Sequence, residues 1–367
     1  MSIYRQRLER LFTHAAEAGL AGVALCPGPN LYYMCGLSAH LSERPTLLIL
    51  PLKGTPAVVL PQMECAKIER APFTIDIFAY DDATGPAAAF KQALSSVDMK
   101  GKALGIEARR IRFLELDLLA NSGNAPKPQA CDAVLAKLRM KKDAAELALM
   151  KESIRIAETA YKNTLPALRP GTSEREVAAE IVMQLLKAGA DVELPFAPII
   201  AAGANGSFPH AIPGDRKLAT GEFVTVDWGA FYKGYVSDLT RTVAVAAAEP
   251  QSELRRAYEA VLAANAAGRA AAKPGATGQD VDRAARKVIT DAGFGQFFTH
   301  RTGHGLGLET HEEPDMKEGS LIPLEPGMTF TVEPGVYIPG SGGIRIEDDV
   351  VITETGSETM TNLPREL

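Results

Sequence analysis

Short apolar runs punctuate the first third of the chain. GVALC, LYYMCG, TLLILP, AVVLP, IDIFAY and ALGIEA read as strands, separated by helix-spaced segments at 86–96 and 112–121. An amphipathic helix precedes them, with Tyr4, Leu8, Leu11, Phe12 and Ala15 along one face. This alternation predicts an α/β domain over residues 1–138. Near Lys141 the pattern changes. Asp143 and Glu146 have the spacing of a capping box, and Leu147, Met150, Ile154, Ala157 and Tyr161 then recur at helical intervals. A second domain is assigned to residues 139–367.

That second part carries an internal repeat. LRPGTSEREVAAEI at 168–181 and AKPGATGQDVDRAA at 272–285 both set Pro-Gly after a helix. A hydroxyl residue and an acid three positions on then open another helix, Ser173 with Glu176 and Thr277 with Asp280. The copies lie 104 residues apart, Asp227 and Glu333 lie 106 apart, and Asp238 and Glu347 lie 109 apart. Pro-Gly before a helix is common punctuation by itself. The matching offsets of the acids favour a duplicated α+β half with a pseudo-twofold axis that brings the acid pairs face to face.

Each half ends in an acid-bearing hairpin. In GEFVTVDWGAFYKGYVSDLTRTVAV, a turn centred on Tyr232 and Lys233 and eased by Gly234 sets Asp227 opposite Asp238. Directly opposed residues have Cβ atoms about 4.5–5.5 Å apart, and like charges there destabilise the ladder. A cation is therefore expected between them. In MTFTVEPGVYIPGSGGIRIEDDV, Glu333 and Glu347 are equidistant from Gly340, and the Pro334–Gly335 step is expected to bulge the first strand.

Composition narrows the partners. The 367 residues include 39 basic and 45 acidic side chains, a formal charge of −6, with no basic run of the kind that tracks nucleic acid, so no nucleic-acid partner is expected. No stretch approaches the ~20 apolar residues that span a bilayer, and no basic segment leads an apolar run at the start. No membrane partner and a soluble, cytoplasmic protein are expected. Cys26, Cys35, Cys65 and Cys131 lack C-x-x-C spacing, which fits buried reduced thiols rather than a disulfide framework or zinc site.

Four carboxylates in one partly dehydrated cleft raise one another's pKa values, whereas two divalent cations balance them charge for charge. His304 in TGHGLG adds a nitrogen, its flanking glycines supplying backbone freedom and room. One nitrogen among mainly oxygen ligands favours Mn²⁺, Co²⁺, Fe²⁺ or Zn²⁺ over a thiolate-type zinc site without choosing among the four; Mn²⁺ or Co²⁺ is named first. Such a pair activates water, polarises a carbonyl and stabilises an oxyanion, which is amide hydrolysis. His311 in ETHEEP and His210 in FPHAIPG suit hydrogen bonding to that oxyanion or proton delivery to the leaving amine.

VDWGA, SDLTRT, HRTGHGLGLETHE, TVEPG and GIRIEDD together resemble the five motif segments of the pita-bread metallopeptidases across the whole second domain. The first domain resembles the amino-terminal domain of the creatinase, prolidase and aminopeptidase P branch. The resemblance implies that Asp227 chelates one metal, that Asp238 and Glu347 bridge both, and that His304 and Glu333 complete the second. It makes Glu333 the proton acceptor, His210 and His311 the substrate-side histidines, and His300 a wall of the specificity pocket. Arg345 corresponds to an arginine behind the ligands or at the substrate carboxylate; read as a strand residue alone, it could equally face outward to a surface acid. All five ligand positions are filled, so a metal-free creatine hydrolase is not expected. The 14-residue step from Glu333 to Glu347 resembles compact microbial prolidases. The implied activity is cleavage of Xaa-Pro dipeptides, with Xaa-Pro aminopeptidase as the alternative and a pita-bread lyase or inactive peptide-binding module as other classes. The resemblance also implies a homodimer in which the LSAHLSERP loop, with Glu43 and Arg44, reaches a substrate in trans.

Overall fold

The apolar runs of the first third build one mixed sheet. In the computed structural model, which describes residues 3–247 and 252–366, the chain divides into two units, Met1–Arg139 and Met140–Leu367. The first contains α1 (Ile3–Glu17), β1 (Gly22–Leu25), α2 (Pro29–Cys35), β2 (Leu47–Pro51), β3 (Ala57–Pro61) and α3 (Cys65–Ile68). It continues with β4 (Asp76–Tyr80), α4 (Ala87–Ser96), β5 (Ala103–Ile106), α5 (Phe113–Ala120), β6 (Lys127–Ala130) and α6 (Asp132–Arg139). The strands run in the order β4-β3-β2-β1-β5-β6, with β1 antiparallel to β2 and parallel to β5. One face, through Ala24, Leu47, Ile49 and Val59, packs on Phe90 and Leu94 of α4 and Leu119 of α5.

Two local expectations change in this unit. LYYMCG is not a strand but most of α2. Pro29 occupies the helix start, Gly36 closes it in the left-handed conformation at φ 69°, and the buried Leu31, Met34 and Cys35 have helical spacing. KPQA forms β6, an exposed edge strand whose Pro128 and polar composition conceal it from pattern reading. In the loop before β2, Arg44 binds Asp82 through Nε and Nη2, both at 2.8 Å.

The second unit opens with α7 (Ala144–Thr164), α8 (Glu174–Ala188), β7 (Ile199–Ala202), β8 (Phe223–Tyr232) and β9 (Tyr235–Ala244). There follow α9 (Ser252–Ala271), α10 (Gly278–Asp291), β10 (Gly303–Gly305), β11 (Glu312–Met316), β12 (Thr329–Val332) and β13 (Gly335–Ile338). β14 (Gly342–Arg345), β15 (Asp348–Ile352) and β16 (Ser357–Thr359) complete it. The sheets are β7-β8-β9, β11-β10-β12-β15-β16 and the pair β13-β14. Under the first, Trp228 stacks on Tyr161 of α7 at 4.5 Å and donates its indole N–H to Ala157 O. Under the third, Val336 and Ile344 pack on Val261 of α9 and Ile289 of α10. No helix among the described residues is long and apolar enough to cross a membrane.

The duplication is visible in the backbone. Ser173 and Thr277 each cap a helix with a reciprocal acid, Glu176 and Asp280. Isolated bridges join Ser173 to Lys217 and Thr277 to Pro323, and the two Pro-Gly glycines, Gly171 and Gly275, donate to Leu218 O and Leu324 O. These return segments also share letters at the 106-residue offset, Leu218 with Leu324 and Gly221 with Gly327, so the repeat runs on through them in sequence as well as in hydrogen bonds.

The first hairpin is shifted from its expected register. The turn is Lys233–Gly234, both at positive φ (49° and 79°), so Tyr232 faces Tyr235. Asp227 consequently lies opposite Thr240, and Asp238 opposite Gly229. The two acids share a face but are diagonal neighbours, a less repulsive arrangement than direct opposition. The second hairpin is centred on Gly340 as the spacing predicts, with Val332 opposite Asp348 and Gly335 opposite Arg345. Its ladder breaks at Glu333–Pro334, where the proline has no N–H to donate. Replacing Gly234 by Ala should cost about 1–2 kcal/mol, because a side chain is strained at positive φ; a lower urea midpoint with an unchanged slope is the expected readout.

Candidate metal centre

β8 and β9 present Asp227, Asp238 and Thr240 on one face, and the chain between β14 and β15 crosses that face. Glu347 N–H donates to Thr240 O at 3.1 Å, and the Thr240 hydroxyl donates to Glu347 Oε2 at 2.7 Å. Glu333 follows β12 and is held through its N–H on Thr302 O at 2.7 Å. His304 sits between Gly303 and Gly305, neither of which adopts a left-handed conformation. The glycines instead permit close strand approach. A Cβ on Gly303 would meet Thr331 O at 1.9 Å, and one on Gly305 would meet Glu313 O at 2.4 Å. This replaces backbone freedom as the reason for those residues.

These segments converge. One ligand atom each from Asp238, His304 and Glu347 lie within 4.8 Å of one another, and all three side chains are buried. His304 Nε2 stands 3.3 Å from Glu333 Oε1 and 3.8 Å from Asp238 Oδ2. Its Nδ1 lies 3.1 Å from Gly305 O, which assigns the proton to Nδ1 and turns the Nε2 lone pair towards the carboxylates. Asp227 is ion-paired with Arg345, while its Oδ1 has no hydrogen-bond partner among the described residues.

The electrostatics follow from burial. Asp238 is pushed well above the usual carboxylate range by desolvation and then by Glu347 and Asp227. Glu347 rises for the same first reason, reinforced by Glu333 and Asp227. Glu333 is raised to about 7 by desolvation, with Arg345 acting against the rise. His304 falls well below its ordinary value because burial disfavours its charged form and His311 adds to the effect. A neutral imidazole nitrogen facing carboxylates is repulsive unless a proton or cation lies between them.

The acids line the floor of a cleft of about 780 Å³. One wall is apolar, from Pro195 to Ile199 and from Ala211 to Pro213, and the histidines line the rest. His311 meets the His304 ring edge-on at 4.2 Å, and its pKa is lowered by burial and by Arg301. His210 is exposed at the mouth. His300 has both nitrogens engaged, Nδ1 with Arg301 O at 2.6 Å and Nε2 with Tyr337 Oη at 2.9 Å, and burial lowers its pKa to about 4. Arg345 is buried rather than outward. Besides Asp227 it donates to Tyr337 Oη at 2.6 Å, to Pro209 O at 3.2 Å and to Thr240 Oγ1 at 3.2 Å. Sequence reasoning missed Tyr337, whose hydroxyl joins Arg345 to His300; its one available signal was its place on the strand that follows Glu333-Pro334-Gly335.

The donor set fits divalent cations: buried carboxylates crowded against one another, an imidazole lone pair aimed among them, and an orphaned Asp227 oxygen. A buried acid–imidazole cluster at the floor of a cleft, raised on two repeated α+β halves, defines the class of metal-dependent hydrolases. The chain belongs to the metallopeptidase family M24, matched by residues 148–354, and it carries a creatinase/prolidase N-terminal domain, matched by residues 7–141. It is 36% identical to a probable dipeptidase, PepE, of Mycobacterium tuberculosis over 370 residues, covering 100% of this chain and 96% of that one. Its structure superposes on the prolidase of Thermococcus sibiricus with TM-score 0.94 at 33% identity, covering 100% and 99% of the two chains. It also matches an X-Pro aminopeptidase of Thermotoga maritima, with TM-score 0.84 at 29% identity and 98% of each chain covered.

Because burial and mutual repulsion raise the carboxyl pKa values of the metal-free site, protons and a divalent cation compete for it. Titration of chelated protein with Mn²⁺ near neutral pH should release protons, and affinity should rise with pH. Calorimetry in two buffers of different ionisation enthalpy checks this; identical apparent enthalpies would exclude proton release.

Proposed function

We propose that this protein is a divalent-metal-dependent dipeptidase that hydrolyses the bond before proline in Xaa-Pro dipeptides. The observation that carries the reading is the convergence of Asp238, His304 and Glu347 within 4.8 Å at the cleft floor. Its support from relatives is that an overall match at 36% identity is named a probable dipeptidase and one at TM-score 0.94 a prolidase. Asp227 would hold one ion, Asp238 and Glu347 both, and His304 and Glu333 the second, with Mn²⁺ or Co²⁺ the leading candidates and Zn²⁺ or Fe²⁺ behind them. When bound, the cations supply Lewis acidity to the scissile carbonyl and to the attacking water.

The protein's own residues do the rest. Glu333 accepts the proton of the attacking water. His311 and His210 reach the cleft from opposite segments and donate to the developing oxyanion or the leaving amine. Arg345 directs four of its five N–H groups to Asp227, Tyr337, Pro209 and Thr240, and its service to the substrate is to fix Asp227. His300 contributes a wall of the pocket through Tyr337. A cytoplasmic homodimer completes this reading.

The likeness to an X-Pro aminopeptidase supports a second reading, release of the N-terminal residue from longer peptides. Chelated enzyme reloaded separately with Mn²⁺, Co²⁺ and Zn²⁺ should cleave Ala-Pro and Met-Pro but leave Ala-Pro-Ala-Ala intact. Release of Ala from the tetrapeptide would make the aminopeptidase reading the correct one, and no cleavage of either by metal-loaded protein would sink both. Asp238→Asn, which keeps the volume and removes the charge, should lower kcat/KM on Ala-Pro by a factor on the order of a thousand or more, with loss of bound metal in the same samples.

A further inference from the structure

Behind the acid cluster, on the opposite face of β9, lies a second buried set of charges that the proposed chemistry does not use. Arg241 is 2% exposed. Each of its five N–H groups has an acceptor: Nε on Pro364 O at 2.8 Å, Nη1 on Thr240 O at 2.8 Å and Glu347 O at 2.6 Å, and Nη2 on Asp348 Oδ1 at 2.9 Å and Leu363 O at 3.0 Å. Asp348 also accepts from Thr361 Oγ1 at 2.7 Å, from Asn265 at 3.0 Å, and from Arg365 at 2.7 and 2.9 Å. Its neighbour Asp349 accepts the backbone N–H of Asp238 at 3.2 Å.

We infer that Arg241, Asp348 and the segment Thr361–Arg365 form a positioning assembly that sets the Asp238–Glu347 pair at the spacing a divalent cation needs. The inference rests on the metal-binding reading above. Its physical basis is where the bonds end. Arg241 grips the carbonyls of Thr240 and Glu347, the two residues that bridge the acid-bearing hairpins, and Thr240 in turn holds Glu347 by N–H and by carboxylate. Glu347 is thereby fixed at its N–H, its carbonyl and its carboxylate, without any contact between the assembly and the cleft. Asp348 joins Arg241 to Arg365, and Arg365 is the only member of that trio with substantial access to solvent, its side chain 20% exposed. A point-like ammonium cannot reproduce the planar five-donor array of Arg241, so lysine there keeps the charge and loses the geometry.

The test uses full-length protein carrying Arg365→Ala or Arg241→Lys, with Arg283→Ala, which breaks the exposed Arg283–Glu318 pair, as the control. Mn²⁺ and Co²⁺ are titrated into chelated protein by calorimetry, with thermal melts alongside and Ala-Pro kinetics at limiting and saturating metal. Both variants should bind metal roughly 10–100-fold more weakly, the range found when groups that orient metal ligands are removed. Their KM at saturating metal should match the wild type, and the control should be unchanged throughout. Folded Arg365→Ala protein with wild-type metal affinity would overturn the inference even if its melting temperature falls, since the assembly would then be only structural. If Arg241→Lys does not fold, Arg365→Ala decides alone. Wild-type protein that takes up neither metal would instead overturn the metal reading itself.

Discussion

Mutual repulsion among Asp227, Asp238, Glu333 and Glu347 is the constraint on which the second unit is built. At an effective dielectric near 20, two unit charges 4 Å apart interact by about 4 kcal/mol, so several such pairs cannot be held ionised without compensation. The protein supplies part of it. Arg345 neutralises Asp227 and the Thr240 hydroxyl stabilises Glu347, whereas Glu333 and Asp238 face only the lone pair of a neutral imidazole. The remaining deficit is what makes the site a place for cations, and the raised carboxyl pKa values of the metal-free site express it.

Holding these groups together requires backbone that approaches closely. Gly229 faces Asp238 across the hairpin, and a Cβ there would lie 2.2 Å from Ser237 O. Gly303 and Gly305 play the same part around His304. The two hairpins meet at the bridge Thr240–Glu347, flanked by Thr242 against Arg345 and by the Asp238 N–H on Asp349, so these crossings set the spacing of the acid pairs. The buried Lys142–Glu312 ion pair steadies the far side, where Glu312 also accepts the N–H groups of Leu308 and Glu309 at 2.8 and 2.9 Å. The loop carrying His311 is thus anchored at its base while its imidazole stays near the cleft.

The two units differ in the side chains they bury. The first contains a six-stranded sheet, three buried free thiols and a buried Arg7 laid over the Tyr33 ring at 3.8 Å. The second contains the acids, the histidines and the cleft, on two halves whose helix caps and return bridges repeat.

Local signals carried much of this into the sequence. Caps at Asp143, Ser173 and Thr277 depend on residues three apart, and the acids keep their common face because the partner of Asp227 moved by two residues, from Asp238 to Thr240, an even step that preserves the face. Properties that depend on distant chain segments were not legible. LYYMCG became α2 because Pro29 and Gly36 framed a helix that its tyrosines disguised, and KPQA became β6 only because β5 offered it an edge. Arg345 could face either way on its strand until Asp227, 118 residues earlier, supplied the partner that burial demands. The sequence by itself determined which residues carry charge and on which side of each hairpin they stand. Only the tertiary structure decided how closely they meet, because that distance is set by glycine contacts, strand crossings and buried hydrogen bonds and ion pairs that join segments more than a hundred residues apart.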